Sequence, residues 1–266
     1  MQRENDAGAN KEPVVIYEDD NVLVINKPYG WLTHEDGRKN NTEEVPTVVE
    51  WFLTRVPEAA GVGEPALDQA GNELNRSGVV HRLDRETSGV LILAKTQTAY
   101  EHLKHAFKER LVKKEYRAFI YGRLNDRWGT INRPIGRSPR DPRMRSAQPG
   151  AKGQMREAVT DFERIGMGEY EGEAFSYVKL KPQTGRTHQL RVHLKALDRP
   201  IVMDELYGAH MIERSKTNLG LNRLALHAHI LELPLPGAPN DETQRFIAPV
   251  PQVFEEAAEK LEEQIG

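Results

Sequence analysis

His81-Arg82-Leu83-Asp84-Arg85-Glu86-Thr87-Ser88-Gly89, running directly into Val90-Leu91-Ile92-Leu93-Ala94, is the stretch on which the reading of the fold turns. Nine mostly polar residues give way to five apolar ones with no alternation. A short unbroken apolar run of this kind reads as a strand covered on both faces. The polar segment is therefore a loop at the rim of a sheet. Within it Asp84 lies between Arg82 and Arg85, followed by the hydroxyls of Thr87 and Ser88. A carboxylate beside guanidinium groups stays ionised and oriented at neutral pH, and an ionised carboxylate at a sheet rim is a usable nucleophile. Aspartate also caps turns by bonding to nearby backbone, and the segment taken alone leaves both roles open.

Outward from this loop, residues 14–17 and 22–26 read as two short strands joined by the acidic turn Glu18-Asp19-Asp20-Asn21. Residues 47–55 predict a short helix with Val48, Trp51 and Phe52 on one face. Residues 57–77, rich in Gly, Ala, Pro and acid, read as a long surface loop. Val79-Val80 is β-like. Residues 98–111 carry Tyr100, Leu103, Phe107 and Leu111 at helical spacing. Residues 116–123 alternate as a strand, and further strands are expected over 157–164, 175–180 and 224–233. Residues 187–197 predict a helix with Leu190, His193, Leu194 and Leu197 on one stripe and Thr187 available as its cap. The segment from Glu255 to Glu263 is helix-like. Strands interleaved irregularly with a few helices imply an α+β fold, with a mixed, largely antiparallel central sheet flanked by helices. Residues 1–12 read as a flexible tail.

With 266 residues, 38% of them apolar and 29% charged, the composition is that of a soluble globular chain. The longest apolar runs are far too short to cross a bilayer, the first residues lack an apolar leader, and no cysteine is present. A cytoplasmic protein with no membrane partner is expected. The net charge is −3, but its distribution is uneven. Residues 76–199 hold 26 Lys and Arg against 14 Asp and Glu, an excess of twelve, while the remainder holds 11 against 26. Such a chain can offer phosphates a cationic face while staying near neutral overall.

Four motifs in order extend the pattern of the opening stretch. Asn26-Lys27-Pro28-Tyr29-Gly30 resembles the Asn-Lys-Pro-x-Gly turn of the RluA family of RNA pseudouridine synthases. His81–Gly89 resembles that family's central signature. Lys114-Glu115-Tyr116-Arg117-Ala118 resembles its Lys-x-Tyr-x-Ala segment, and Thr184-Gly185-Arg186-Thr187-His188-Gln189-Leu190-Arg191 its Gly-Arg-Thr-His-Gln-(Ile/Leu)-Arg motif. The resemblance implies one pseudouridine synthase catalytic domain over residues 13–266. Many relatives carry an S4-like RNA-binding module before the first motif, and this chain resembles a member without one. Two departures concern substrate rather than chemistry: Met203 stands where the family has glycine, and Leu233-Pro234-Leu235-Pro236 lacks the usual aromatic ending.

The resemblance implies that Asp84 is the catalytic carboxylate, that Tyr116 lies against the target base, and that Arg186 is the basic partner of Asp84. Stacking on an aromatic ring contributes about 1–3 kcal/mol per base, and a guanidinium can hold a carboxylate by bidentate contact. Contact with a phosphate on the rim is the other reading of Arg186. Arg82 and Leu190 are expected among the substrate contacts. The basic stretch from Arg133 to Arg156, with Arg137, Arg140, Arg143 and Arg145, reads as an RNA-gripping loop or hairpin or as a solvated loop, and Arg85 as a further phosphate contact. Neither His227-Ala228-His229 nor His188 with His193 has the spacing of a zinc motif, and no phosphate-binding loop appears. No metal and no cofactor are expected; RNA is the expected partner and the chain is expected to be a monomer. A non-catalytic RNA-binding protein on the same scaffold is the main alternative. A metal- or nucleotide-dependent hydrolase is opposed by the missing motifs. Asn26-Lys27-Pro28 reads as a rigid turn rather than a source of catalytic lysine.

Overall fold

Alternation, apolar runs and caps place the elements. The computed structural model describes residues 12–35, 45–68, 70–239 and 242–262; the expected N-terminal tail, but for its last residue, and the end of the expected C-terminal helix at Glu263 lie outside them. In chain order the strands and helices are β1 (Val14–Glu18), β2 (Val22–Lys27), α1 (Val48–Arg55), β3 (Ala66–Leu67), β4 (Glu73–Leu74), β5 (Ser88–Ala94), α2 (Gln97–Lys108), β6 (Lys113–Tyr121), β7 (Trp128–Asn132), β8 (Ile135–Arg137), β9 (Arg145–Ser146), β10 (Lys152–Arg156), β11 (Val159–Tyr170), β12 (Glu173–Pro182), α3 (Gln189–Ala196), α4 (Ala209–Arg214), β13 (Leu226–Pro234), β14 (Thr243–Ile247) and α5 (Gln252–Glu262). The fold is α+β. Among the described residues no helix is long and apolar enough to cross a membrane.

The chain forms two compact units, residues 1–113 with 228–249, and residues 114–227 with 250–266. In the first, strands run in the order β1-β2-β5-β13, with β14 also on β13. All seven residues of β5 are buried; the strand takes in Ser88 and Gly89 from the end of the polar loop as well as the unbroken apolar run Val90–Ala94. It lies antiparallel to β2 with Val22 opposite Ala94 and Lys27 opposite Gly89. Thr47 caps α1 through a reciprocal pair of bonds with Glu50. The expected loop over 57–77 contains a small hairpin, β3 against β4. Val79 makes only an isolated bridge to Leu93. Helix α2 stops at Lys108, short of the Leu111 that the periodicity includes. Arg110 there turns left-handed (φ 60°) and leaves Leu111 exposed.

In the second unit the order is β6-β12-β11-β7, with β12 antiparallel to both neighbours. Helix α5 lies on β11, burying Phe254, Ala257 and Leu261. The basic stretch after Arg133 is not a formless loop. It forms a small three-stranded sheet in the order β10-β8-β9, seated on a cluster of Ile135, Ala158, Val192 and Tyr207.

Candidate active site and arginine cleft

In the first unit, the Asp84 loop is fastened to the Asn26–Gly30 turn through main chain. Lys27 is fully buried, and its ammonium donates to the carbonyls of Pro28 (3.0 Å), Trp31 (2.8 Å) and Arg85 (3.3 Å). Gly30 N–H donates to Arg85 O at 2.9 Å, and Arg85 Nε returns a bond to Gly30 O at 3.3 Å. Thr33 Oγ1 donates to Leu83 O at 3.0 Å. A lysine holding three carbonyls is a structural latch, which agrees with the rigid-turn reading. Asp84 is half-buried at the apex, where its carbonyl accepts Thr87 N–H at 3.1 Å. Arg82 and Arg85 are exposed on either side, Arg82 within 3.2 Å of His34 Nε2. His81 accepts Ile92 N–H at 3.1 Å and stacks on Phe107 with ring centroids 4.6 Å apart. Gly89 is required where loop becomes strand. Its φ is +120°, and a Cβ there would fall 2.1 Å from the Ala228 carbonyl.

In the second unit the Thr184–Arg186 loop is organised by Gln189, a residue the sequence did not single out. Its buried carboxamide oxygen accepts the Thr184 hydroxyl (2.7 Å) and Arg186 N–H (3.0 Å), and its nitrogen donates to Val159 O and Thr160 Oγ1, both at 3.0 Å. Every valence of the amide is used. Thr187 is not the cap of α3; His188 occupies that position in a left-handed conformation (φ 55°) with no side-chain cap bond. The Gln189 bond to Arg186 N–H closes the turn instead. Leu190 is buried at 7% exposure. Arg191 forms a bidentate pair with Asp204, both contacts at 2.8 Å and both residues buried. Asp204 also accepts Leu206 N–H and Tyr207 N–H. Tyr116 is half-buried on β6 opposite Leu180. Next to it, burial pushes the Lys114 ammonium below its ordinary value, and Lys114 Nζ lies 3.8 Å from where a Cβ on Gly185 would stand.

Arg186 is half-buried, its Nε donating to Glu157 O at 2.9 Å. It lines a cleft of about 480 Å³ together with Arg137, Arg145 and Arg156. Of the other hairpin arginines, Arg133 donates to Ala196 O at 2.7 Å and so caps the C-terminus of α3. Arg143 is chelated to Asp141 through Nε and Nη2, 2.7–3.2 Å, and Arg140 is exposed outside the cleft. Asp84, Arg82 and Arg85 thus belong to the first unit, and Tyr116, Arg186, Leu190 and the hairpin arginines to the second. Among the described residues no group of three or more His, Asp or Glu is arranged to hold a metal ion.

The sequence profile of RNA pseudouridylate synthases matches residues 21–196, a span containing all four motifs. The chain belongs to this family. An uncharacterised RNA pseudouridine synthase of Synechocystis sp. is 36% identical over 257 residues, covering 94% of this chain and 69% of that protein. The ribosomal large subunit pseudouridine synthase D of Vibrio vulnificus is 34% identical over 260 residues, covering 93% and 70%. Among solved structures, human RNA pseudouridylate synthase domain containing 1 superposes with a TM-score of 0.67 at 29% identity, over 94% of this chain and 87% of that one. The chain spans about two thirds of the length of the curated relatives it matches.

Proposed function

We propose that the protein is an RNA pseudouridine synthase that isomerises a specific uridine in structured rRNA or tRNA, with Asp84 as catalytic carboxylate and no cofactor. The observation that carries this reading is the Asp84 loop itself. It lies within the span that matches the family, resembles that family's central signature, and is latched through Lys27 to the turn that resembles a second motif. The net reaction breaks the bond from ribose C1′ to the ring nitrogen and forms one from C1′ to ring carbon 5. One proton leaves that carbon and one is gained by the nitrogen, so the atoms balance without a co-reactant. A single carboxylate suits this isomerisation, whereas glycoside hydrolysis draws on two of different pKa.

Tyr116 is assigned to the face of the target base, with Arg82 and Leu190 as further substrate contacts. Arg186 is assigned to charge balance beside the reacting nucleotide. Extrusion of the base costs a few kcal/mol, offset by cationic contacts to the backbone. Arg85, Arg137, Arg140, Arg143 and Arg145 are the candidates for those contacts, Arg143 the least favoured because Asp141 already neutralises it. Ribosomal RNA is the first substrate to try, since relatives such as that of Vibrio vulnificus are named for the large ribosomal subunit.

Pseudouridine maps of rRNA and tRNA, made by chemical adduct formation in cells with and without the gene, test this reading. One uridine is expected to lose its signal in the deletion strain and regain it on re-expression. Identical maps, with RNA binding intact in the purified protein, would instead make the chain a non-catalytic RNA-binding protein.

A further inference from the structure

Two buried residues that belong to none of the four motifs hold the Asp84 loop in the first unit. They are Thr33, 2% exposed, and His34, 3% exposed, which come just after the Asn26–Gly30 turn. The Thr33 hydroxyl bonds the Leu83 main chain in both directions, donating to its carbonyl at 3.0 Å and accepting its N–H at 3.3 Å. Leu83 is itself buried between Arg82 and Asp84. The backbone that carries both side chains is thereby fixed. An arginine side chain keeps several rotatable bonds that a backbone contact leaves free, so the direction of the Arg82 guanidinium needs a contact of its own.

His34 supplies that contact. Arg82 Nη1 lies 3.2 Å from His34 Nε2. A guanidinium has donors only and stays charged, so Nε2 accepts and the ring hydrogen sits on Nδ1. That hydrogen is donated to the Glu35 carbonyl. The Glu35 bond selects the tautomer whose lone pair faces Arg82. A second guanidinium, that of Arg76, stands close enough to feel the charge of Arg82. Its own burial first, and then Arg82, push it below its ordinary value, and its Nε is buried with no hydrogen-bond partner among the described residues. The nature of the acceptor matters here. A carboxylate would neutralise the guanidinium, as Asp141 does for Arg143. A neutral imidazole fixes direction and leaves the charge whole, and among the described residues no carboxylate is bonded to Arg82.

We propose that His34 is a positioning residue for the reaction, a buried neutral imidazole that aims the exposed Arg82 guanidinium at the substrate while leaving its charge uncompensated. It acts through Arg82, with Thr33 fixing the backbone between Arg82 and Asp84. This rests on the reading of the protein as an RNA pseudouridine synthase, in which Arg82 is a substrate contact.

The first arm of the test needs no substrate. Nitrogen-proton correlation spectra of the histidine-labelled protein near neutral pH, with His34 assigned by its absence in His34→Gln, report which ring nitrogen carries hydrogen. Nδ1 is expected to be protonated and Nε2 bare, and the Nε2 signal is expected to move in Arg82→Gln. A protonated Nε2, or a signal that stays in place in Arg82→Gln, would overturn the contact. The second arm reads turnover on unmodified rRNA and tRNA transcripts. His34→Leu is expected to lower kcat/KM roughly ten-fold or more, the scale of loss for a substrate contact displaced by about an ångström. His34→Gln, whose amide can accept from Arg82 and donate to the Glu35 carbonyl, is expected to recover most of that loss. In the Arg82→Gln background, His34→Leu should cost little further, because it acts through a group already removed. Losses that multiply in the double variant, or a folded His34→Gln as slow as His34→Leu, would overturn the positioning role. If wild type leaves no pseudouridine in any transcript, the enzymatic reading fails and the role in catalysis with it, while the spectra still decide the contact.

Discussion

At the scale of single residues, two positions separate what the motifs reveal from what they conceal. Met203 departs from the family's glycine, and the structure gives that departure a physical meaning. Its φ is +59°, a conformation that L side chains enter at a cost of roughly 1–2 kcal/mol. Glycine carries its own unfolded-state entropy cost of about 0.5–1 kcal/mol, so Met203→Gly should gain on the order of 0.5–1 kcal/mol. Urea unfolding would read this as a higher midpoint, and a lower one would show that the methionine's contact with Asn218 outweighs the strain. Gln189 is the converse case. It is legible only as one letter in a motif, because nothing in a residue list shows that one amide serves Thr184, Arg186, Val159 and Thr160 together. Removing a partner strands buried polar groups at about 1–3 kcal/mol each. Gln189→Leu should therefore lower stability by roughly 2–4 kcal/mol. Turnover should fall at least ten-fold as the Arg186 loop loses its shape, with RNA affinity changed much less. Wild-type turnover would detach Arg186 from the reaction.

At the scale of elements, the sequence is clearest where apolar periodicity is strong and weakest at ends. The burial of β5 and the stripe of α2 through Tyr100 and Leu103 follow from the spacing. The end of α2 does not, since the left-handed turn at Arg110 overrides the apolar position at Leu111. The strands β7 and β14 and the helix α4 leave no periodic signal in the sequence, being short, mixed in polarity and fixed by partners distant along the chain. The small sheet β8–β10 was ambiguous because arginines spaced by Gly and Pro suit hairpin and loop equally. Helix α3 carries a pH dependence of its own. His193 is fully buried between Thr160 Oγ1 and Arg133 O, and burial holds its ring below the ordinary 6.5. The folded state therefore keeps it neutral while the unfolded chain takes up a proton. Stability is full above about pH 6.5 and is lost as pH falls through and below that value. Carboxylates held low by lysine or arginine, such as Glu18 and Glu232, take effect only below about 4.5. Thermal unfolding followed from pH 7 to pH 5 should show the loss in wild type and a flatter profile in His193→Gln. Parallel profiles would remove His193 as its source.

At the scale of the whole molecule, the asymmetry of charge is the feature that composition conceals and position along the chain exposes. The basic span from 76 to 199 includes both the Asp84 loop and the arginine cleft, yet the total is −3. The four motifs made the family legible, and the residues they name fall within the matched span. What the sequence did not reveal is the division of labour among cations. Arg133 went to a helix end, Arg143 to an aspartate, and Arg137, Arg145, Arg156 and Arg186 to one cavity. The central claim is that the Asp84 carboxylate carries out the isomerisation. Asp84→Asn keeps the size of the side chain and removes the charge. The direct measurement is pseudouridine formation by this variant on the RNA that wild type modifies, alongside its affinity for that RNA and its unfolding midpoint. The account predicts wild-type affinity and stability with no detectable product. Product formed at a rate within ten-fold of wild type would contradict it.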